Sequence, residues 1–243
     1  MALINNKDYI LKEISSEPEL ELFLRFRYNG FCNSPAGYVL TKNKSAIDIN
    51  YYDRKSRHYA IYTELNRKAV PVGYFRIVLE EPTMADEWVS NISQRVGLTH
   101  ITEQPLRHTF PFSGIYPDTG LEKGFYTRKA SFEKAGEVSR FIISESERSV
   151  RLSLQIIKSA FAIALLHIQH AFVLCLNDHS KAYMKFGFRQ CPGSSTFTNN
   201  SIASRNECIL LYCGTGHVTN ELKTRFKIMQ QQFLKNRCLA LNL

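Results

Sequence analysis

An acid and a base stand three residues apart in Gly136-Glu137-Val138-Ser139-Arg140-Phe141-Ile142-Ile143-Ser144, a segment otherwise as apolar as a buried strand. Alternation along a strand sends Glu137, Ser139 and Phe141 to one face and Val138, Arg140 and Ile142 to the other. The segment ends in polar residues and runs straight into a long helical pattern, a junction of the kind at which folds place their sites. Three upstream segments carry charges that can meet it: Arg25-Phe26-Arg27-Tyr28, the acidic stretch Asp48 to Asp53, and Gly73-Tyr74-Phe75-Arg76.

Composition sets the bounds. The 243 residues are 44% hydrophobic and 12% aromatic, enough for a substantial core. A formal charge of +9 suits an acidic partner: an anionic membrane surface, a small acidic protein or nucleic acid. There is no glycine-arginine tract, zinc finger or helix-turn-helix signature, so nucleic acid is the weakest of the three. Cys32, Cys175, Cys191, Cys208, Cys213 and Cys238 form no CxxC pair and no metal-ligand spacing, so they read as reduced cytosolic thiols with no metal site. Met1 to Glu21 lacks the basic and apolar regions of an export signal. The best membrane candidate, Ala160 to Leu176, is short and interrupted by His167, Gln169 and His170. The expectation is a soluble, cytoplasmic protein.

Glu17 to Phe31 has near-helical apolar spacing, with Ser15 or Ser16 to open it and Pro18 in its first turn. His58 to Leu65 and Val70 to Leu79 read as a hairpin turning at Asn66-Arg67-Lys68. From Glu80 to Lys134 the pattern dissolves, apart from a helical pattern over Met84 to Val96. A connection of that length suggests a lid, a binding loop or an insertion. Order returns with the strand Glu137 to Ile143, then a buried helix over Ser149 to Gln169 and a central strand over Ala171 to Leu176. A short helix over Asp178 to Phe186 ends at Gly187, which suits a left-handed cap. A strand over Glu207 to Cys213 and a basic amphipathic helix over Val218 to Arg237 complete the chain. No domain boundary is visible, so residues 1–243 read as one domain.

The block Ala171 to Phe188, ending Lys181-Ala182-Tyr183-Met184-Lys185-Phe186-Gly187-Phe188, resembles the strand-helix-GF ending of GNAT N-acyltransferases. Four further segments occur in order: Arg27-Tyr28-Asn29-Gly30-Phe31-Cys32, the Asp48 and Asp53 segment, Gly73-Tyr74-Phe75-Arg76, and Glu137-Val138-Ser139-Arg140-Phe141. Together they resemble the autoinducer-synthase-like branch of that superfamily, closest to long-chain N-acyl amino acid synthases and PEP-CTERM/exosortase-associated acyltransferases. The resemblance covers roughly residues 20–215 without the insert. It implies an α/β fold with a mixed, mostly antiparallel sheet, a V-shaped split between its central strands, and flanking helices. It also implies an acyl-carrier-protein thioester as donor and an amine as nucleophile, with no bound cofactor. The 4'-phosphopantetheine arrives as part of the acyl carrier protein.

Two departures refine that expectation. Ser144-Glu145-Ser146-Glu147-Arg148-Ser149-Val150-Arg151 has no glycine and two acids where coenzyme A-dependent relatives hold a pyrophosphate on a glycine-rich turn. Arg148, Arg151 and the positive charge fit an acidic carrier protein better. The lactone synthases also carry a tryptophan in a loop where this chain has Asn33-Ser34-Pro35-Ala36-Gly37-Tyr38.

Thioester aminolysis needs a bound donor, a deprotonated amine, an oxyanion donor and a grip on the acceptor. In the implied fold the pantetheine lies between strands 137–143 and 171–176, held by backbone groups as in strand addition. A backbone N–H of 140–142 then faces the oxyanion. Phe141, Ile142, Ile143 and Leu174, with the 154–166 helix, are the candidate acyl and pantetheine contacts. Glu137 is the candidate base, directly or through a water, or else a structural ion-pair partner. Arg76 and Arg140 are expected to pair with Asp48 and Asp53, because charges inside strand patterns need partners. Arg27 either grips the acceptor's carboxylate or ties helix to loop. Phe31 reads as core or cleft wall, Ser139 as a substrate contact without a nucleophile-elbow setting, and His167, His170 and His179 as structural. The C-terminal helix allows peripheral membrane contact.

The resulting expectation is transfer of a long-chain acyl group to the α-amine of an amino acid. The alternatives are an acyl-homoserine-lactone synthase using S-adenosylmethionine and a non-catalytic domain that binds acyl carrier protein or lipid.

Overall fold

The computed structural model describes residues 8–33, 43–103, 109–112, 134–192, 194–198 and 207–241. Strand β1 (Tyr9–Glu13) leads into helix α1 (Glu17–Cys32), which starts at Ser16 with proline in its first turn. A 3-10 turn at Tyr51–Lys55 delivers the chain to β2 (Ser56–Leu65) and β3 (Lys68–Val78). Asn66 and Arg67, with φ of 52° and 62°, make the turn of that hairpin. Helices α2 (Ala85–Arg95) and α3 (Thr99–Thr102) follow, so the first part of the long connection is ordered structure.

Strand β4 (Ala135–Ile143), helix α4 (Val150–Ala164) and strand β5 (His170–Leu176) form a crossover. After α5 (Ser180–Met184), Gly187 takes φ of 92°, the left-handed conformation its position suggested. Strands β6 (Arg189–Gln190), β7 (Phe197–Thr198) and β8 (Glu207–Gly214), helix α6 (Asn220–Asn236) and strand β9 (Cys238–Leu241) complete the chain.

The nine strands of the described residues share one sheet of order β6-β8-β5-β4-β3-β2-β1-β9, with β7 on β8. Every pair is antiparallel except β4–β5. That parallel pair is joined over only three positions, Ala135↔His170, Gly136↔Ala171 and Glu137↔Phe172. Both strands run on, β4 to Ile143 and β5 to Leu176, so the sheet opens in a V above Glu137 and Phe172. This is the mixed, mostly antiparallel GNAT-type sheet that the resemblance implied.

Strand β1 and the edge strand β9, of five and four residues, were not legible beforehand. Segments that short show no periodicity. The expected helix over Ser149 to Gln169 stops at Ala164. The apolar run Ala160 to Leu176 is divided between the end of α4, a turn and β5, because continuous apolar sequence does not mark where a helix ends. Among the described residues no helix is long and apolar enough to cross a membrane.

The alternation expected along β4 is also corrected. Val138 packs in the core beneath α4 and α6, and Phe141 and Ile143 pack against the same cluster. Arg140 and Ile142 lie on the opposite face with α1, where Ser139 and Glu137 also point. The cause is a bulge: pairing with β3 slips between Tyr74 and Arg76, and Arg140 adopts φ of 59°. One extra residue in a strand inverts every side chain beyond it.

Gly136 sits where the parallel pair is tightest. A Cβ there would stand 2.8 Å from Ile168 Cγ2 and 2.9 Å from the Val78 carbonyl oxygen, whereas one at Gly216 meets nothing within 4 Å. Gly136→Ala is expected to lower unfolding stability by about 1–3 kcal/mol, and Gly216→Ala by no more than about 0.5 kcal/mol. Urea denaturation of the two variants checks this; equal midpoints would contradict the packing described.

Candidate active site

On the face covered by α1 and the 43–55 segment, four distant stretches of chain converge on Arg27. The spacing of α1 points Arg27 inward, and no part of it reaches solvent. Nε donates to Asp48 Oδ2 at 2.8 Å, and Nη1 donates to Asp53 Oδ1 at 2.7 Å and to the Tyr74 hydroxyl at 3.0 Å. Nη2 donates to the Asp48 carbonyl at 2.6 Å and to Asp53 Oδ2 at 3.0 Å. All the N–H groups of the guanidinium therefore have acceptors within the protein. Of the two roles open to Arg27, the geometry is that of tying helix to loop, and no donor is left for an acceptor's carboxylate.

Asp53 closes a capping box with Asn50, receiving the Asn50 N–H at 2.9 Å. It also accepts from Arg76 Nη1 at 2.6 Å, and Arg76 further donates to Asn50 Oδ1 at 3.1 Å and to Ser139 Oγ at 3.3 Å. Burial would raise the Asp53 carboxyl, but Arg27 and Arg76 outweigh it and hold the group far below the usual carboxylate range. Asp48 is lowered in the same way, by Arg140 and Arg27 against burial. Arg140 Nη1 lies 3.7 Å from Asp48 Oδ2, and its guanidinium stands 5.2 Å from the centre of the Phe31 ring. Its side chain keeps 27% of its surface exposed, which makes it the one accessible guanidinium of the three.

Glu137 lies at the apex of the V, 2% exposed. Its Oε2 accepts the Phe112 backbone N–H at 2.8 Å, and the Ser139 hydroxyl also favours its charged form. Burial dominates and pushes its pKa up to about 7, against the pull of Phe112, Arg76 and Arg140. Among the described residues it forms no ion pair. A carboxyl with that pKa can exchange a proton near neutral pH.

The other expected contacts divide. Phe141 and Ile143 face α4, with Phe141 stacked on Phe75 at 5.5 Å between ring centres. Leu174 packs on the opposite face with Phe172 and Leu210, so these residues do not line one slot with the helix as expected. Alternation along β5 places it there. Ile142 packs under α1, its Cδ1 2.1 Å from where a side chain on Gly30 would begin. Arg148 and Arg151 flank the Ser149 cap of α4, both exposed, while neighbouring Glu147 is bonded to the Tyr9 hydroxyl at 2.7 Å. The 34–38 loop lies outside the described residues. Among the described residues no three His, Cys, Asp or Glu side chains cluster as a metal site.

Sequence reading gave no role to Tyr74, His58 or Phe112. Tyr74 shares the face of Arg76 two residues on, and His58 is paired with Arg76 in the hairpin, so period and register carried both signals. His58 Nε2 lies 2.9 Å from the Asp53 carbonyl and must donate to it, which leaves Nδ1 to accept from the Tyr74 hydroxyl at 2.7 Å. Burial lowers its pKa to about 4 and keeps it neutral. Nothing in the sequence marks Phe112.

No protein-family model matches the sequence, and no curated protein is significantly similar to it. The class its architecture defines is the GNAT-like fold: a large, mostly antiparallel sheet flanked by helices, with one parallel pair that splays apart. Among solved structures it is similar to FeeM, an N-acyl amino acid synthase from uncultured soil microbes, at 13% identity over 86% of this chain and 93% of that one, with a TM-score of 0.50. It is similar also to BjaI, a CoA-dependent acyl-homoserine lactone synthase, at 14% identity over 92% and 89% of the two chains, with a TM-score of 0.54. MesI, a second CoA-dependent lactone synthase, matches at 16% identity over 91% and 95%, with a TM-score of 0.50. At these identities the likeness is one of fold.

Removing Arg27 leaves buried Asp53 with Arg76 as its remaining cation and Asp48 with only the looser contact to Arg140. Arg27→Met is expected to lower stability by about 3–5 kcal/mol, read from urea denaturation; a loss below about 1 kcal/mol would contradict the network. Glu137 acts with the opposite sign to a paired carboxylate. Its folded pKa, about 7, lies above the ordinary value of 4.5, so it costs stability as pH rises between those values. His58 and His167, both lowered to about 4, add stability over much of the same interval, so the variant comparison isolates Glu137. Glu137→Gln should gain up to about 3 kcal/mol over the parent between pH 5 and pH 8. Denaturation at the two pH values tests this, and an unchanged difference would place the pKa of Glu137 in the ordinary range.

Proposed function

We propose that this protein is an N-acyltransferase that moves a fatty acyl group from a thioester to the amine of an amino acid. The observation that carries the reading is the opening of β4 from β5 directly above a buried carboxyl with a pKa of about 7. Beyond Glu137 and Phe172 the two strand edges no longer pair with each other. An extended pantetheine arm can bond to such edges as an added strand. The bulge takes residues 140 and 141 out of regular register with β3, and a backbone N–H of the 140–142 stretch can face the thioester oxygen.

The chemistry then balances on few groups. The acceptor enters as an ammonium and gives a proton to Glu137. Its nitrogen attacks the thioester carbonyl carbon, the C–N bond forms, and the C–S bond breaks. The sulfur leaves as a thiolate and takes up the proton released from the nitrogen. Among the described residues Arg27, Arg76 and Arg140 face Asp48 and Asp53 as firmly ionised acids, a surplus of one positive charge that suits an acceptor bearing a carboxylate. Arg140, accessible and only loosely held to Asp48, is the group to receive it.

For the donor, Arg148 and Arg151 at the glycine-free entry to α4, with the net charge of +9, favour an acyl carrier protein and its 4'-phosphopantetheine. A basic surface of this kind attracts an acidic protein over several ångströms. BjaI and MesI are CoA-dependent, so acyl-CoA belongs in the same assay.

Mass spectrometry of lipids from cells producing the protein is expected to show a ladder of acyl chains on one amino acid, absent with Glu137→Gln. Lactones with methylthioadenosine would instead assign a lactone synthase, and no new lipid would leave the binding-domain reading. With purified donor, kcat/KM should rise with pH through a pKa near 7, and Glu137→Gln should lose this limb together with about 10²–10⁴ of the rate. A limb that persists in Glu137→Gln would exclude Glu137 as base.

A further inference from the structure

The residues that bury Glu137 come from the long connection. Phe110 and Phe112 stack on each other at 5.8 Å between ring centres, Phe112 stacks on Phe172 at 5.0 Å, and neither Phe110 nor Phe112 is more than 2% exposed. Together with Val78, Ala135 and Leu210 they form a small apolar cluster on the face of the sheet where Glu137 points. Two side chains from the 3-10 turn hold this segment by its carbonyls. Tyr52 donates from its hydroxyl to the Phe110 oxygen at 3.2 Å, and Lys55 donates from Nζ to the Thr109 oxygen at 3.3 Å. A third bond is the one from the Phe112 N–H to Glu137 Oε2.

A general base must come within hydrogen-bond reach of the proton it takes, about 2.6–3.2 Å between heavy atoms. In the described conformation that place at Oε2 is held by the chain's own N–H, under two phenylalanine rings. We infer that residues 109–112 are a self-supplied plug of the acceptor site, with the Phe112 N–H standing where the N–H of the substrate amine must bind. The inference rests on the proposed role of Glu137 and adds how access to it is controlled. The amine and the plug compete for one carboxylate oxygen, so the acceptor's apparent affinity is reduced by the fraction of protein in which the plug is seated.

The groups around Glu137 fit a displaceable contact. Arg76 from β3 and Arg140 and Ser139 from β4 face it and favour its ionised form, while its β5 neighbour is the uncharged Phe172. When the plug leaves, these groups keep the carboxylate available to an ammonium. Of the contacts that seat the segment beside the stacked rings, the Tyr52 hydroxyl bond and the Lys55 bond to backbone carbonyls are each within the range that a substrate can offset.

The test uses Tyr52→Phe and Lys55→Met, each of which removes one of these two bonds and leaves the side chains of the acid-base cluster in place. Amide hydrogen exchange at 110 and 112 is followed with and without pooled common α-amino acids, and with betaine, which has no N–H, as control. Each variant should exchange faster than the parent and show an acceptor KM lower by roughly three- to tenfold, with donor KM unchanged. In the parent protein the amino acids, but not betaine, should speed exchange at Phe112. Exchange that responds to amino acids without product formation would retain the plug and overturn the acyltransferase reading. Product formation with acceptor KM and Phe112 exchange indifferent to both substitutions would overturn the plug and retain the enzyme. Acceptor KM that rises in both variants would make 109–112 a wall of the site and equally overturn the inference.

Discussion

A guanidinium taken wholly out of water has to find its hydrogen-bond acceptors inside the protein, and Arg27 finds all of them on two aspartates and a tyrosine. The consequences reach most of one side of the molecule. Asp48 and Asp53 belong to a segment with little regular structure, and the bonds to Arg27 anchor it against α1. Arg76 joins the same Asp53, which fixes β3 to that segment, and Ser139 continues the chain of bonds onto β4. Glu137 then sits at the border of an ionic lattice and an apolar cluster. Burial raises its pKa and the nearby cations limit the rise.

The second constraint is geometric. A parallel pair held over three positions cannot keep its strands together along their length, and the bulge at Arg140 bends one of them away. A left-handed φ at a non-glycine residue is disfavoured, and here its surroundings hold it in place: Phe141 among the rings beneath α4, Arg140 between Phe31 and Asp48. The resulting gap presents backbone edges beside a titratable carboxyl, the combination on which the proposed aminolysis rests. Desolvation raises the pKa of Glu137 and also hides it from solvent, so the role of base proposed for it requires a means of access.

Much of this was legible in residues. The hairpin, the first helix, the capped end at Gly187 and the acid–base strand all have local signals, and the charged segments were expected to meet. Where it failed, the failures are specific. Alternation assigned Phe141 to the face of Glu137, and a single bulged residue moved it to the other. Leu174 was grouped with Phe141 and the helix, and the period of β5 puts it on the opposite side. His58 and Tyr74 were passed over because their role depends on which strands are neighbours.

The sequence by itself determined where helices begin, which strand residues alternate up to the bulge, and that Arg76 and Arg140 sit in strand patterns too apolar to leave them unpaired. Those are consequences of period and of the cost of burying charge, and both are local. Only the tertiary structure decided which aspartate each arginine meets, since the partners lie more than 20 residues apart and several pairings satisfy the same charges. It alone paired β1 with β9, from opposite ends of the chain, and laid Phe112 over Glu137. Hydrogen bonds and desolvation depend on which atoms are adjacent, and adjacency across a sheet is settled by the packing of the whole chain.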